Sequence, residues 1–276
     1  MAIKSNAEEF IQLTFKGTNT SNEKDAERTI THNGKLKSRI LINTSSPSMT
    51  IYRPDQSVDN GISILVIPGG AFHSLYIDEE GLYVAEKLTA LGYTTALLKY
   101  RVISIDKNYP IKKVYKDKEN FTKLDQLFGP QLDSAIEDGK TAMSYLVNHA
   151  KELKINKKKI GAIGFSAGGT LTAALGLSTE HKALFCAPIY PFLEILMNLP
   201  VPQKACPLFI AVAQNDNFGF NTNAVKFYQK WVEANAPAEL HAFNKGEHGF
   251  ASKTQGLPVD HWFEQFTDWL VSMGFA

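Results

Sequence analysis

A serine with glycine two positions away on each side, Gly164-Phe165-Ser166-Ala167-Gly168, is the arrangement in this chain best suited to chemistry. A serine hydroxyl is a weak nucleophile at neutral pH. It attacks an acyl carbon only when a base takes its proton and a third group orients that base. The G-x-S-x-G pattern works where a strand turns sharply into a helix, which pushes Oγ out above a sheet. Residues 160–165 are a short apolar run fit for a buried strand, and residues 170–177 are small and apolar on every side, as in a buried helix. Glycine on either side suits a turn with no room for side chains and with strained backbone angles. Such a turn also opens a helix N-terminus, which favours negative charge. Gly-rich strand-to-helix turns also bind dinucleotides, but Gly161, Gly164, Gly168 and Gly169 do not fit G-x-G-x-x-G.

A base and an acid must be found for Ser166. In a parallel sheet, ligands bind beyond the carboxyl ends of the strands, so partners belong in loops that follow strands. Of the seven histidines, His241 falls within a strand pattern, His149 and His261 within helices, and His32 and His181 in polar surface stretches. Only His73 and His248 directly follow strands. His248, in Gly246-Glu247-His248-Gly249-Phe250, lies downstream of the serine and is preferred as base. His73 is left with two readings, pocket lining or a packing or surface role. Asp216 directly follows a strand and gives the chain order Ser, Asp, His of α/β-hydrolases. Glu194 follows the preceding strand. It is the fallback acid, in a segment that otherwise reads as pocket wall near the substrate.

Acyl transfer needs hydrogen-bond donors where negative charge develops. The amide of Ala167, just after the nucleophile, is one candidate. The loop Pro68-Gly69-Gly70-Ala71-Phe72 should supply another, with Gly70 and Ala71 favoured by position.

The elements that must position these residues alternate along the chain. Residues 10–15 read as an edge strand and 18–33 as a polar loop. Residues 38–44 and 49–53 read as an early antiparallel hairpin around Ser-Ser-Pro. Strand patterns follow at 62–67, 94–100, 160–165, 183–189, 207–213 and 238–243. Helix patterns lie at 79–91, 130–150, 170–177, 222–235 and 259–273. In the fourth, Val225, Tyr228, Trp231 and Val232 are expected inward; in the last, Trp262, Phe263, Phe266, Trp269 and Leu270. Residues 101–125 break the rhythm and read as an insertion at the sheet's rim. Gly139-Lys140-Thr141 mimics the end of a Walker A loop, but Ser134 stands where its first glycine should be, within a helical pattern. The alternation predicts one α/β domain over residues 1–276, with a mostly parallel central sheet, an antiparallel N-terminal hairpin and helices on both faces.

Composition narrows the function. The chain has 276 residues, 44% hydrophobic and 21% charged, with a net charge of +1, which gives no electrostatic case for nucleic acid or anionic membranes. No apolar run approaches a membrane span, and the first residues have no apolar segment of the secretory type. Cys186 and Cys206 lie in or beside apolar runs and read as buried free thiols, which suits a reducing, cytoplasmic compartment.

Taken together, Pro68-Gly-Gly-Ala-Phe72, Glu80-Gly81, Leu98-Lys-Tyr100-Arg101, the Ser166 elbow, Asp216 and the His248 loop resemble the α/β-hydrolase esterases of the acetyl-xylan-esterase type. Bacterial relatives of that type are described as sugar hydrolases, xylanase-like proteins or lipases/esterases. The resemblance runs from about residue 51 to the C-terminus. It implies hydrolysis of carboxylic esters, often small acyl groups on sugars, with no cofactor and no metal. It also maps Ser166, Asp216 and His248 as the triad and Gly70 and Ala167 as the oxyanion hole. Pro68 departs from the histidine that hormone-sensitive-lipase relatives carry before their glycines, which disfavours that subfamily. The expected partner is a small-molecule ester. An amidase or peptidase with the same triad, or a silent ligand-binding hydrolase fold, are the alternatives. The natural ester and the oligomeric state are not legible.

Overall fold

The apolar runs become neighbouring strands in the computed structural model, which describes residues 6–14, 25–32, 36–106, 124–180 and 182–276. The expected rim insertion falls largely on residues 107–123, outside the described residues, as do Phe15, residues 18–24 of the expected loop and His181.

The main sheet contains β1 (Asn6–Gln12), β4 (Ser48–Arg53), β5 (Ser63–Ile67), β7 (Thr94–Lys99), β8 (Ile160–Phe165), β9 (Cys186–Ile189), β10 (Leu208–Ala213) and β11 (Ala238–Phe243). Their order is β1-β4-β7-β5-β8-β9-β10-β11. From β7 to β11 every pairing is parallel; β1 and β4 run antiparallel at one edge. β5, β8 and β10 are buried along their whole length, as expected of central strands covered on both faces.

Period-two alternation divides the strand side chains between two cores. Leu65, Ile67, Ala162, Ile210 and Val212 face one side. There they meet α2 (Leu124–Asn148), α3 (Ala167–Gly176) and α4 (Asn221–Glu233). Ile64, Val66, Ile163, Phe165, Phe209 and Ala211 face the other, against α1 (Tyr83–Ala90) and α5 (Trp262–Ser272). The second core is aromatic, with Phe209 ring centroids 5.3 Å from Phe266 and 5.5 Å from Trp269. Each such buried ring contributes about 1.5–3 kcal/mol. Of the three buried indoles, Trp231 donates to the Cys206 carbonyl at 2.9 Å and Trp262 to that of Ala251 at 3.0 Å.

Parallel register levels the carboxyl ends of the strands. Ile67 pairs with Gly164, Phe165 with Ile189, Ile189 with Ala211, and Ala213 with Phe243. The loops after β5, β8, β9, β10 and β11 therefore open on the same edge, where a site can be assembled.

Two local expectations are corrected. The N-terminal antiparallel hairpin is present, but it joins β2 (Ala26–His32), expected as loop, to β3 (Leu36–Ile42). β3 and β4 do not pair. β4 goes to β1 and β7, while β2, β3 and β6 (Ser74–Leu75) form a separate small sheet. β2 is polar and only half-buried, so its apolar signal is weak. The second correction is α4. It buries Ala224, Phe227 and Trp231, while Val225 and Val232 are 47% and 48% exposed. Trp231 and the half-buried Tyr228 lie inward as expected, but Ala224 and Phe227 take the inward places expected of Val225 and Val232, because the Phe227 ring buries more area than a valine. The inward face of α5 is the expected one.

The small sheet braces the loop after β5. β6 immediately follows that loop and pairs with β3, and Arg39 grips Asp78 through Nε at 3.0 Å and Nη2 at 2.8 Å.

Candidate active site

Ser166 stands between β8 and α3 with φ 52° and ψ −115°, a conformation that L-residues avoid. The flanking glycines are required by contact. A Cβ at Gly164 would lie 2.3 Å from the Gly168 carbonyl oxygen, and one at Gly168 would lie 2.1 Å from that of Ile67. The Ser166 amide donates to Ile189 at 3.0 Å, which ties the turn to β9.

The structure brings Ser166, His248 and Asp216 together. His248 Nε2 is 2.8 Å from Ser166 Oγ, and its Nδ1 is 2.8 Å from Asp216 Oδ2. A carboxylate only accepts, so Nδ1 carries the ring proton and Nε2 offers its lone pair to the serine hydroxyl. The Asp216 side chain is wholly buried, and its other oxygen accepts the Phe218 amide at 2.8 Å. The His248 loop is held from the β10 side: Asn215 Oδ1 accepts the amides of Gly246 and Glu247, and Asn217 Oδ1 accepts that of His248. Three rings stand edge-on to the imidazole: Phe218 at 4.7 Å, Tyr190 at 4.8 Å and Phe220 at 5.3 Å between centroids. They fix its plane and shield it from water on those sides.

In the loop after β5, the Gly69 amide donates to Glu80 Oε2 at 2.8 Å and is therefore occupied. Among the described residues, the amides of Gly70, Ala71 and Ala167 donate no hydrogen bond. Gly70 lines the cavity with Ser166, Ala71 is buried beside it with φ 52°, and Ala167 is the first residue of α3.

Glu80 itself has no counterpart among the expected site residues, although Glu80-Gly81 is part of the recognisable pattern. It is buried, and its Oε1 accepts the Tyr190 hydroxyl at 2.8 Å. Burial pushes its carboxyl up, against the opposing pull of Tyr190, of charge on His248 and of the Gly69 amide. Its role was hidden because Glu80 and Tyr190 lie 110 residues apart.

Two expected neighbours of the site lie elsewhere. Glu194 is exposed at the start of a short 3-10 turn and pairs with Asn223; it does not line the cavity and does not reach His248. His73 turns into its own loop, with Nδ1 2.6 Å from the Ala71 carbonyl, and burial lowers its basicity. It does not line the cavity either, so the packing role prevails over pocket lining.

The cavity above Ser166 has a volume of about 290 Å³. Phe218 gives it an apolar wall, while Tyr76, Glu79, Asn217, Glu247 and Lys253 make a polar rim. Among the described residues, no group of three or more His, Cys, Asp and Glu side chains is placed to hold a metal ion. No helix among them is long and apolar enough to cross a membrane.

The family model described as the Dienelactone hydrolase family matches residues 82–270. The chain is 22% identical over 265 residues to an acetylxylan esterase of Xylanibacter ruminicola, covering 84% of this chain and 50% of that protein. It thus spans about half the length of that curated relative. Among solved structures it is similar to MGS-M1, an alpha/beta hydrolase enzyme from a Medee basin deep-sea metagenome library. The TM-score is 0.63 and the identity 24%, over 89% of this chain and 96% of that one. It is also similar to the acetyl ester-xyloside bifunctional hydrolase of Caldicellulosiruptor lactoaceticus, with a TM-score of 0.65 and 23% identity over 84% and 90% of the two chains. These likenesses carry the α/β-hydrolase fold.

Proposed function

The chain belongs to the dienelactone hydrolase family, and from that premise we propose that it is a serine esterase cleaving small acyl esters, acetylated sugars among them, through an acyl-enzyme. One observation carries the reading: a single imidazole lies 2.8 Å from Ser166 Oγ on one side and 2.8 Å from Asp216 on the other.

In this mechanism Ser166 Oγ attacks the ester carbon while His248 Nε2 takes its proton. The Asp216 carboxylate keeps the imidazole in the required tautomer and stabilises the imidazolium. The oxyanion is received by the amides of Gly70, with Ala71 next to it, and of Ala167 at the α3 N-terminus. The imidazolium then protonates the leaving alkoxide, leaving the acyl group on Ser166. Water then attacks the acyl carbon as His248 Nε2 takes its proton, and the tetrahedral intermediate collapses with cleavage of the acyl–Oγ bond, the imidazolium returning the proton to Oγ and the acid departing. The left-handed backbone of Ser166 is stored strain that keeps Oγ exposed to substrate.

Substrate size follows from the cavity. About 290 Å³ suits a short acyl group with part of its alcohol. The polar rim favours a hydroxyl-rich alcohol over a lipid. The similar protein of Xylanibacter ruminicola is an acetylxylan esterase, which points the same way.

The test is to label the protein with a fluorophosphonate and locate the adduct, then to compare wild type and Ser166→Ala on acetyl, butyryl and octanoyl esters. The expected result is an adduct on Ser166, loss of turnover by up to on the order of a millionfold in the variant, and acetyl cleaved faster than octanoyl. An unlabelled Ser166, or a variant retaining more than a few per cent activity, overturns the reading.

A further inference from the structure

Beneath Ser166 lies a buried acid that the acyl-transfer scheme does not use. Glu80 comes from the single π-helical turn Ile77–Leu82 that precedes α1. It is only 7% exposed, yet it lines the cavity. Oε2 accepts the amide of Gly69 and Oε1 accepts the hydroxyl of Tyr190, each at 2.8 Å. The loop closes around the first contact: the Tyr76 amide donates to the Gly69 carbonyl, and the Glu80 amide donates to the Tyr76 carbonyl, each at 3.0 Å. A Cβ on Gly69 would sit 2.6 Å from Glu80 Oε2 and 2.8 Å from Ser166 Cβ. The carboxylate and the nucleophile thus flank one point, which only glycine leaves open.

The second contact leads to the base. The Tyr190 ring stands 4.8 Å from the His248 ring at 61°. Tyr190 has φ 39°, strained for a non-glycine residue, and its amide is anchored on the Ala211 carbonyl at 2.8 Å. Its ring also meets Phe250 at 4.7 Å. Tyr190 therefore cannot shift without disturbing the His248 loop, and its hydroxyl points at Glu80.

We propose that Glu80 is a positioning residue of the hydrolytic site: one carboxylate ties the loop bearing the Gly70 amide to the ring that seats His248, and turns its negative charge toward the imidazolium. This rests on the serine-esterase reading above and adds a residue to it. A neutral amide would fill the same space with less desolvation cost. A carboxylate differs by favouring charge on a nearby imidazole.

The other charged groups around His248 are Asp216 on Nδ1, Lys253 donating to its carbonyl oxygen, and Glu79 and Glu247 in the cavity wall. Facing Glu80 are the phenols of Tyr190 and Tyr100, both pushed well up by burial and by the charge of Glu80. A change confined to Glu80 leaves all of these in place.

The experiment measures kcat and KM for p-nitrophenyl acetate from pH 5 to 9, with the full chain as wild type, Ser166→Ala, Glu80→Gln, Glu80→Ala and Tyr190→Phe. In Glu80→Gln the amide oxygen still accepts from Gly69 and the NH₂ donates to the Tyr190 oxygen, so the loop keeps its ties while the charge is lost. The expected result is kcat lower by about tenfold with KM within about threefold. The acid limb of kcat/KM moves to lower pH, because removing a negative neighbour disfavours the imidazolium. Tyr190→Phe keeps the charge and the position of the limb but loses the tie, and its kcat falls severalfold. Glu80→Ala loses both and is the slowest of the three. A Glu80→Gln enzyme with wild-type kcat and a superimposable pH profile overturns the proposal, and so does wild-type kcat in Tyr190→Phe should the Glu80 variants fail to fold. If Ser166→Ala is active, the serine mechanism fails first. If it is inactive and Glu80→Gln is indistinguishable from wild type, only the role of Glu80 fails.

Discussion

Asn215 holds Gly246 across the top of the sheet: its Oδ1 accepts the Gly246 amide at 3.0 Å and, at the same distance, the next amide, that of Glu247. One side-chain oxygen after β10 thereby fixes the entry of the His248 loop after β11, so the fold itself sets Asp216 and His248 relative to each other. Asn215→Ala removes both bonds while leaving Ser166, His248 and Asp216 in the chain. Each bond contributes about 1 kcal/mol or less at this accessible position. The expected outcome is a fall in kcat of about tenfold through misplacement of the base, with KM little changed. Steady-state kinetics with a parallel thermal melt checks it. A lower Tm with unchanged kcat would make Asn215 a brace with no part in alignment.

Arg101 and Asp138 make a buried ion pair, with side chains 4% and 0% exposed and Nη2 2.7 Å from Oδ1. Nε and the Arg101 amide also donate to the same carboxylate, which clamps the end of β7 to α2. Removing one partner strands the other charge in the core and costs about 3–5 kcal/mol, whereas replacing both by apolar groups costs far less. Urea titrations of Asp138→Leu, Arg101→Leu and the double variant are expected to give a double variant at least as stable as either single one. Additive losses would mean that the pair contributes no coupling.

Much of this was legible because it is local. The elbow is contiguous, so the strand, Ser166 and the helix read together. Asp216 and His248 each stand just past a strand, and parallel register carries them to one edge. The same rule also picked out Glu194 and His73, because following a strand decides which edge a residue reaches and not where its side chain turns. Glu194 leaves on a 3-10 turn toward Asn223, and His73 folds back on Ala71. In α4, apolar residues at 224, 225, 227, 228, 231 and 232 form two overlapping stripes, and only packing against the sheet selects one. Glu80 was recognisable in sequence without its role, which depends on a turn and on a tyrosine far along the chain.

Asp260 supplies the pH-dependent prediction. Its Oδ2 accepts the amides of Gln255 at 2.8 Å, Gly256 at 2.7 Å and Leu257 at 3.3 Å, which caps the turn leading into α5. Partial burial pushes the carboxyl up, but these donors together hold it below its ordinary value. A folded-state value below the unfolded one gives stability that is fully present above the unfolded pKa, about 3.9, and is lost as pH falls through the folded one. Asp260→Ala is expected to cost about 1 kcal/mol near pH 7, a few degrees of Tm for a chain of this size. The gap between variant and wild type should close as both are acidified below that range. A gap that stays constant down to pH 2 would show that the carboxylate's charge contributes nothing.

The last prediction separates the two carboxylates that the sequence offered to His248. Asp216 reaches Nδ1 at 2.8 Å with its side chain wholly buried, while Glu194 is exposed and engaged with Asn223. Asp216→Asn preserves size and the oxygen that receives the Phe218 amide, but an amide NH₂ can take the place of the acceptor that faces Nδ1. The imidazole then presents N–H to Ser166 in place of a lone pair, and the imidazolium loses its counter-charge. By analogy with the carboxylate of serine proteases, kcat should fall on the order of 10⁴ with KM little changed. Glu194→Gln touches neither the cavity nor the base, so kcat and KM should both stay within a few-fold of wild type. Kinetics of the two purified variants on one acetyl ester decides the matter. A crippled Glu194→Gln beside an active Asp216→Asn would reverse the assignment and with it the seating of His248.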